Sequence, residues 1–271
     1  MAKLHFLKSV TDTINTSIIF ETESSVIVFD GGHKSEMEYL HEYLLGLGGR
    51  VSAWFLTHAH DDHVNAIFEM LNKYDDVTVD KVAYHFPSDQ WLDALAPGGE
   101  GITMARAVRK TLQDKRIPID TVQTGDLYSF DDLTVRVLRV PDEDIVTDFV
   151  NNSSVVYRVE TDGKSVMILG DLGVEGGRQL LETVDPALIK ADYCQMAHHG
   201  QNGVEKEVYH AIRPTYCLWA TPSWLWENRG PGGYDTGIFN TVVTRGWISE
   251  MHCVKRHYLM TDGTQVIDLA E

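Results

Sequence analysis

The chain has 271 residues, 43% of them hydrophobic and 23% charged, long enough to bury a substantial core in one large domain or two small ones. Its 40 acids against 23 bases give a formal charge of −17, which repels polyanions and argues against an extended nucleic-acid surface, though not against a small phosphorylated substrate. The amino terminus lacks the apolar core of a signal peptide, and no run approaches the roughly 18 apolar residues of a membrane span.

Cys194, Cys217 and Cys253 are far apart and sit in apolar segments. They read as buried hydrophobes in a reducing compartment, so a cytoplasmic protein without membrane contact is expected. Residues 16–20 and 25–29 read as a strand hairpin, the second strand ending in Asp30-Gly31-Gly32-His33. Asp30 is either a group that orients a ligand from behind or a turn-forming residue, and His33 is expected to be exposed. Ser35 and Glu38 have capping-box spacing before a helix with Leu40, Leu44 and Leu47 on one face, stopped by Gly48-Gly49.

Residues 51–56 form an apolar run that reads as a buried strand. Directly after it come Thr57-His58-Ala59-His60-Asp61-Asp62-His63, and then a helical pattern with Ile67, Leu71 and Tyr74 on one face. The cluster therefore falls on a strand-to-helix turn, where α/β layers place their ligand crevices. Period-two alternation points His58 and His60 the same way, and Asp62 and His63 open the helix facing a second position. Imidazole and carboxylate without thiolate suit zinc, manganese or iron and argue against a sealed structural zinc. A helix cap is the plainer role for Asp61 or Asp62.

Further on, residues 77–79 and 82–84 suggest strands, and 102–116 a helix carrying Arg106, Arg109, Lys110, Lys115 and Arg116. That basic face either greets an anionic substrate or is simply solvated. Strands follow at 133–138, 154–159 and 165–169, with a hairpin turn at Asp162-Gly163. The third delivers Gly170-Asp171, and a strand at 191–197 delivers His198-His199-Gly200. The tail adds a strand at 216–219, a helix at 238–248, a strand at 252–258 and a hairpin turn at Asp262-Gly263. The aromatic, glycine-rich stretch 224–234 either lines a substrate mouth or buries its rings as a connector. No internal repeat or low-complexity linker stands out, so a single domain over 1–271 is expected.

The H-x-H-x-D-H turn, the G-D turn and the H-H-G turn together resemble the signature of the metallo-β-lactamase superfamily of binuclear metal hydrolases. That resemblance implies an α/β fold, a four-layer αββα sandwich, and hydrolysis of β-lactams, thioesters, lactones or phosphodiesters. It implies two divalent ions, zinc or manganese with iron a third candidate, held by His58, His60, Asp62, His63, Asp171 and one of His198 and His199. Asp171 would bridge the ions, and His199 is the expected ligand of the pair, with His198 touching substrate or taking its place. Asp62 would also orient the attacking water, as the catalytic residue, and no serine, cysteine or lysine nucleophile or G-x-S-x-G elbow is needed.

In many members a third histidine completes the first ion's set, on a loop ahead of the strand that precedes the G-D turn. Residues 140–154 hold none, leaving Asp148, Asn151 or Asn152 as oxygen donors, which shifts preference towards harder ions such as manganese. Asn152 could equally bind substrate or pin the loop. The run Asn151-Asn152-Ser153-Ser154 resembles the branch containing the hydrolase domain of competence-type DNA-internalisation proteins and relatives acting on phosphoesters. A phosphodiester or related ester is the expected substrate, with a lactone, thioester or β-lactam, or metal binding without turnover, as alternatives.

Overall fold

The computed structural model describes residues 2–270. Its first half runs β1 (Lys3–Phe6), β2 (Ser17–Glu21), β3 (Val26–Asp30), α1 (Met37–Gly46), β4 (Arg50–Val51), β5 (Ala53–Phe55) and α2 (Asp61–Lys73). It continues with β6 (Thr78–Val79), β7 (Val82–Tyr84), α3 (Asp89–Leu95), α4 (Glu100–Lys115) and β8 (Ile119–Thr121). The second half runs β9 (Leu127–Phe130), β10 (Leu133–Arg139), α5 (Phe149–Asn152), β11 (Val156–Thr161), β12 (Ser165–Ile168), α6 (Val174–Thr183), α7 (Pro186–Ile189) and β13 (Tyr193–Gln195). After it come α8 (Lys206–Ile212), β14 (Tyr216–Trp219), α9 (Ser223–Trp226), α10 (Thr241–Ser249), β15 (Arg256–Leu259) and β16 (Gln265–Asp268).

Two seven-stranded sheets form, in the orders β16-β1-β2-β3-β5-β7-β8 and β15-β14-β13-β12-β11-β10-β9. Strand alternation explains the layers. Ile18, Phe20, Ile27, Phe29 and Phe55 point into a core shared with Val135, Val159, Val166 and Ile168 of the second sheet. The intervening Ile19, Val28 and Trp54 point outward under Val64, Ile67 and Met70 of α2 and Val108 of α4. Met167 likewise faces Leu180 of α6 and Val208 of α8. Strands covered on both faces read as near-continuous apolar runs, which is why β2, β3 and β5 were visible in the sequence. The layers are helix, sheet, sheet, helix, the expected αββα sandwich.

In each sheet an antiparallel run gives way to parallel strands joined by crossovers, β3-β5-β7-β8 in one and β12-β13-β14-β15 in the other. The halves thus repeat a topology that their sequences do not show. Several local expectations change. The capping box does not form, because His33 caps a 3-10 turn at Lys34–Glu36 that precedes α1. Asp262-Gly263 is no hairpin: Met260, buried between the sheets, carries the chain from β15 across to β16, which pairs with β1. Neither Asp61 nor Asp62 caps α2, since the Asp61 N–H donates to Glu100 Oε1 at 2.9 Å.

On α4 the cations are paired with acids, Arg106 and Arg109 with Asp89, Lys110 with Asp114 and Lys115 with Asp75, so the basic face belongs to the surface of the fold. In the stretch 224–234, Trp226 packs edge-on to Trp219 with Arg245 over its ring, while Tyr234 is exposed. Cys194 and Cys217 are buried and unpaired, burial pushing the first thiol far up and the second to about 12. No helix among the described residues is long and apolar enough to cross a membrane.

Candidate metal centre

The carboxyl ends of the paired parallel strands β3 and β5 carry Asp30 and the turn Thr57–His60, where α2 begins. The ends of β12 and β13 carry Asp171 and His199. Open α/β layers bind ligands at such ends, and here the two sheets bring theirs together. Asp171 Oδ1 lies 3.0 Å from His63 Nε2, and Asp171 Oδ2 lies 3.2 Å from His199 Nε2 and 3.9 Å from His58 Nε2. Asp62 Oδ2 is 2.9 Å from His199 Nε2. Two overlapping groups result, Asp62, His63, Asp171 and His199, and His58, His60 and Asp171, each with atoms close enough together to hold a metal ion. His198 stands beside them, its Nε2 3.8 Å from Asp171 Oδ2.

The outer nitrogens of the rings are fixed from behind. His63 Nδ1 donates to Asp30 Oδ2 at 2.7 Å, and His199 Nδ1 donates to the Ala220 carbonyl at 2.9 Å. Asp30 also accepts from the Thr57 N–H and hydroxyl, both at 2.8 Å, and Thr57 Oγ1 stands 3.1 Å from His58 Nδ1. Fixing the outer nitrogen sets the tautomer and aims Nε2 inward. Asp30 is therefore the orienting group, reaching one ring of each set. His33 is half-buried, its Nε2 3.6 Å from Asp61.

Close backbone approach builds the rest. Gly170 has φ +57°, and a Cβ there would lie 2.8 Å from Ser154 Oγ and from Thr57 Cβ. The Asp171 N–H donates to Ser154 Oγ at 3.0 Å. His198 and His199 both take left-handed conformations, at φ 51° and 56°, strain that bonds to the Gly170 carbonyl and from Thr221 Oγ1 hold in place. Gln195, fully buried, ties the Leu169 N–H to the Gly170 and Met196 carbonyls. Sequence reasoning assigned no supporting role to the side chains of Thr57, Ser154 and Gln195. Gln195 left a signal of its own, a lone amide in an apolar strand.

The donor set fits divalent metal. His63 Nε2 and His199 Nε2 are 3.3 Å apart, and His58 Nε2 and His60 Nδ1 3.1 Å apart, lone pairs turned to common points. Asp171 Oδ1 is buried and makes no hydrogen bond of acceptable geometry among the described residues. Electrostatics point the same way. At His58 burial, reinforced by His63, holds the ring well below the ordinary histidine value. At His63 burial is outweighed by Asp171, Asp30 and Asp62, and the ring is held well above it. His199, buried but facing Asp171 and Asp62, is pushed up to about 9. Burial is likewise overcome at Asp62 by His63 and His199, and at Asp171 by His199, His63 and His198, so both carboxyls stay below the usual range.

A metal-free chain thus holds protons on His63 and His199 at neutral pH, and these must leave when a cation takes the nitrogens. Stability contributed by the raised His199 is full below 6.5 and lost as pH rises through about 9. Stability contributed by the lowered carboxyls is full above 3.8 and lost as pH falls. The chelated protein is expected to melt lower as pH rises from 6.5 to 9, while metal affinity climbs over the same interval. Calorimetry of zinc binding in buffers of different ionisation enthalpy should count between one and two protons released; none released would contradict these charge states.

Asn152 lies in the loop ahead of β11, with its amide turned inward. It is 1% exposed, its amide donates to the Thr147 carbonyl and Glu175, and its Oδ1 accepts from the Gly176 N–H. The amide ties the loop to the start of α6, the second of the two roles expected for it.

Facing sheets between helix layers, with imidazoles and carboxylates converging at the strand ends around a shared aspartate, define an αββα protein built to hold divalent metal. Residues 10–210 match the sequence profile of the metallo-beta-lactamase superfamily, and the chain belongs to that family. It is 30% identical over 160 residues to ComE operon protein 3 of Bacillus subtilis strain 168; the match takes 59% of this chain and 18% of that one, so the chain spans under a fifth of that protein's length. Among solved structures it resembles the metallo-beta-lactamase fold protein YhfI of Bacillus subtilis, with TM-score 0.58, 10% identity, and 99% of this chain and 100% of the other covered. An E377D mutant of the CmlA beta-hydroxylase gives TM-score 0.60 at 12% identity, over 99% of this chain and 54% of that one. At such identities these structures show a shared fold and nothing about substrate.

Proposed function

We propose that the chain is a metal-dependent hydrolase acting on a phosphodiester or a related ester. The observation that carries this reading is the sharing of Asp171 by both ligand groups, the arrangement a two-ion site requires. Bound there, divalent ions supply Lewis acidity towards an ester oxygen and an activated water, which no side chain of the cluster offers by itself. His58, His63 and His199 are locked by their outer nitrogens, so the site is organised before substrate arrives. Asp62 is ionised and its side chain keeps 17% exposure, which suits it to accept a hydrogen bond from the attacking water and aim it. His198, with 18% exposure, stands at the rim within reach of the substrate. The shortage of one imidazole in the first group favours harder ions and phosphoryl oxygen, and the likeness of residues 151–154 to the phosphoester branch agrees.

Bis-nitrophenyl phosphate, a lactone and a thioester, each assayed with manganese and with zinc, test the reading. Turnover of the diester is expected, with Asp62→Ala lowering kcat by about 10²–10⁴-fold. Turnover of the lactone alone would replace the substrate class, and an inert, fully loaded protein would make the chain a metal-binding module.

A further inference from the structure

The first ligand group, His58, His60 and Asp171, is one donor short of the four a tetrahedral site takes. The loop ahead of β11 offers Asp148, Asn151 and Asn152, and the structure sorts them. Asn152 has its amide fully engaged with Thr147, Glu175 and Gly176. Asp148 is exposed at the start of α5 and accepts a hydrogen bond from Asn151 Nδ2 at 2.9 Å. Asn151 is 5% exposed, and its Oδ1 has no hydrogen-bond partner among the described residues. An amide oxygen withdrawn from water without a partner costs roughly 1–3 kcal/mol, so its retention asks for a ligand. The bond to Asp148 holds Nδ2 and so fixes Oδ1 as the free end of the amide.

The placement of α5 says which ligand. The Asn151 carbonyl accepts from the Ser154 N–H, whose side chain in turn accepts from the Asp171 N–H. The next residue, Val155, donates to the carbonyl of Thr57, immediately before His58. Val150 abuts Gly101 at the start of α4, where Glu100 caps the helix opened by Asp61. Asn152 abuts Gly173 just after Asp171. Phe149 packs edge-on to Trp91 of α3, but the other end of α5 is tied through Ser154 to Asp171 and through Val155 to Thr57, which puts Asn151 one step from both strand ends that carry the His58–His60–Asp171 group.

We propose that Asn151 Oδ1 is the fourth protein ligand of that group, an amide oxygen where an imidazole is absent, with Asp148 as its positioning residue. This rests on the two-ion reading above. An oxygen donor makes the first position harder than the second, so it takes manganese in preference to what a third imidazole would select.

The test is metal binding by the full chain, stripped with chelator and titrated. Manganese is followed by the loss of its free electron-paramagnetic signal and zinc by competition with a chromophoric chelator. Wild type is expected to hold two equivalents. Asn151→Ala should keep one and weaken the other at least tenfold. Asn151→Asp should keep manganese, and Asn151→His should shift the first position towards zinc. Asp148→Ala, which removes the positioning bond but leaves the oxygen, should weaken the first equivalent less than Asn151→Ala does. Should Asn151→Ala fail to fold, the Asp and His variants decide by the direction of their manganese-to-zinc ratio. Two equivalents at wild-type affinity in Asn151→Ala, or an unchanged ratio in Asn151→His, overturns the assignment and leaves the hydrolase reading standing. A wild-type chain that binds no metal overturns both.

Discussion

Asp171→Ala is expected to lose both metal equivalents and to lower kcat/KM by at least about 10³-fold, some ~4 kcal/mol of transition-state stabilisation. The size follows from position. Asp171 is 1% exposed, and its two oxygens approach His63, His199 and His58, so a single deletion removes a donor from both groups. It also leaves the protonated His63 and His199 facing each other without the anion that most strongly holds their protons. Asp171→Asn separates shape from charge: it keeps the Ser154 hydrogen bond to the backbone and the volume, and it should still lose most metal. His60→Ala is the comparison, since it should weaken the first equivalent and spare the second. Elemental analysis of the purified variants beside diester turnover reads all three. An Asp171→Ala protein carrying two ions at wild-type affinity would remove the shared carboxylate from the account.

The parts of this site that the sequence displayed are those that lie close together along the chain. His58, His60, Asp62 and His63 share one turn, and the apolar run before them marks the strand that presents them. Asp171 and His199 sit more than a hundred residues away; strand-end placement suggested them, and the likeness to a known family singled them out. What stayed hidden is the support. The bond from Asp30 to Thr57 spans 27 residues and that from Gln195 to Leu169 spans 26, and neither leaves a periodic trace. The helices of the second half other than α10 were passed over for a related reason. α6 opens after Gly173 and contains Gly176 and Gly177, so its propensity is poor, and packing on Leu172, Val204 and Val208 decides its state. The turn at Asp262-Gly263 was read from local chemistry, whereas the sheet a strand joins depends on which edge is open. β15 is flanked by β14, and the free edge of β1 takes β16.

That hidden support makes the second large expectation. Asp30→Ala should destabilise the chelated protein by about 3–5 kcal/mol, lowering the melting temperature by roughly 10 °C, and weaken both metal equivalents about 10–100-fold. The carboxylate is fully buried, and its removal strands the Thr57 N–H and hydroxyl and the His63 Nδ1–H together. Both ligand groups suffer because Thr57 in turn orients His58, so one carboxylate sets a ring in each. Asp30→Asn refines the test. Its amide keeps the volume and an acceptor for Thr57, but it turns an N–H towards His63 Nδ1. That ring must then give up its Nδ1 proton and keep the one on Nε2, the atom that faces the cluster. The melting temperature should largely recover while metal affinity at His63 stays low. If Asp30→Asn binds metal as wild type does, tautomer control by Asp30 is wrong, and its role reduces to holding the turn.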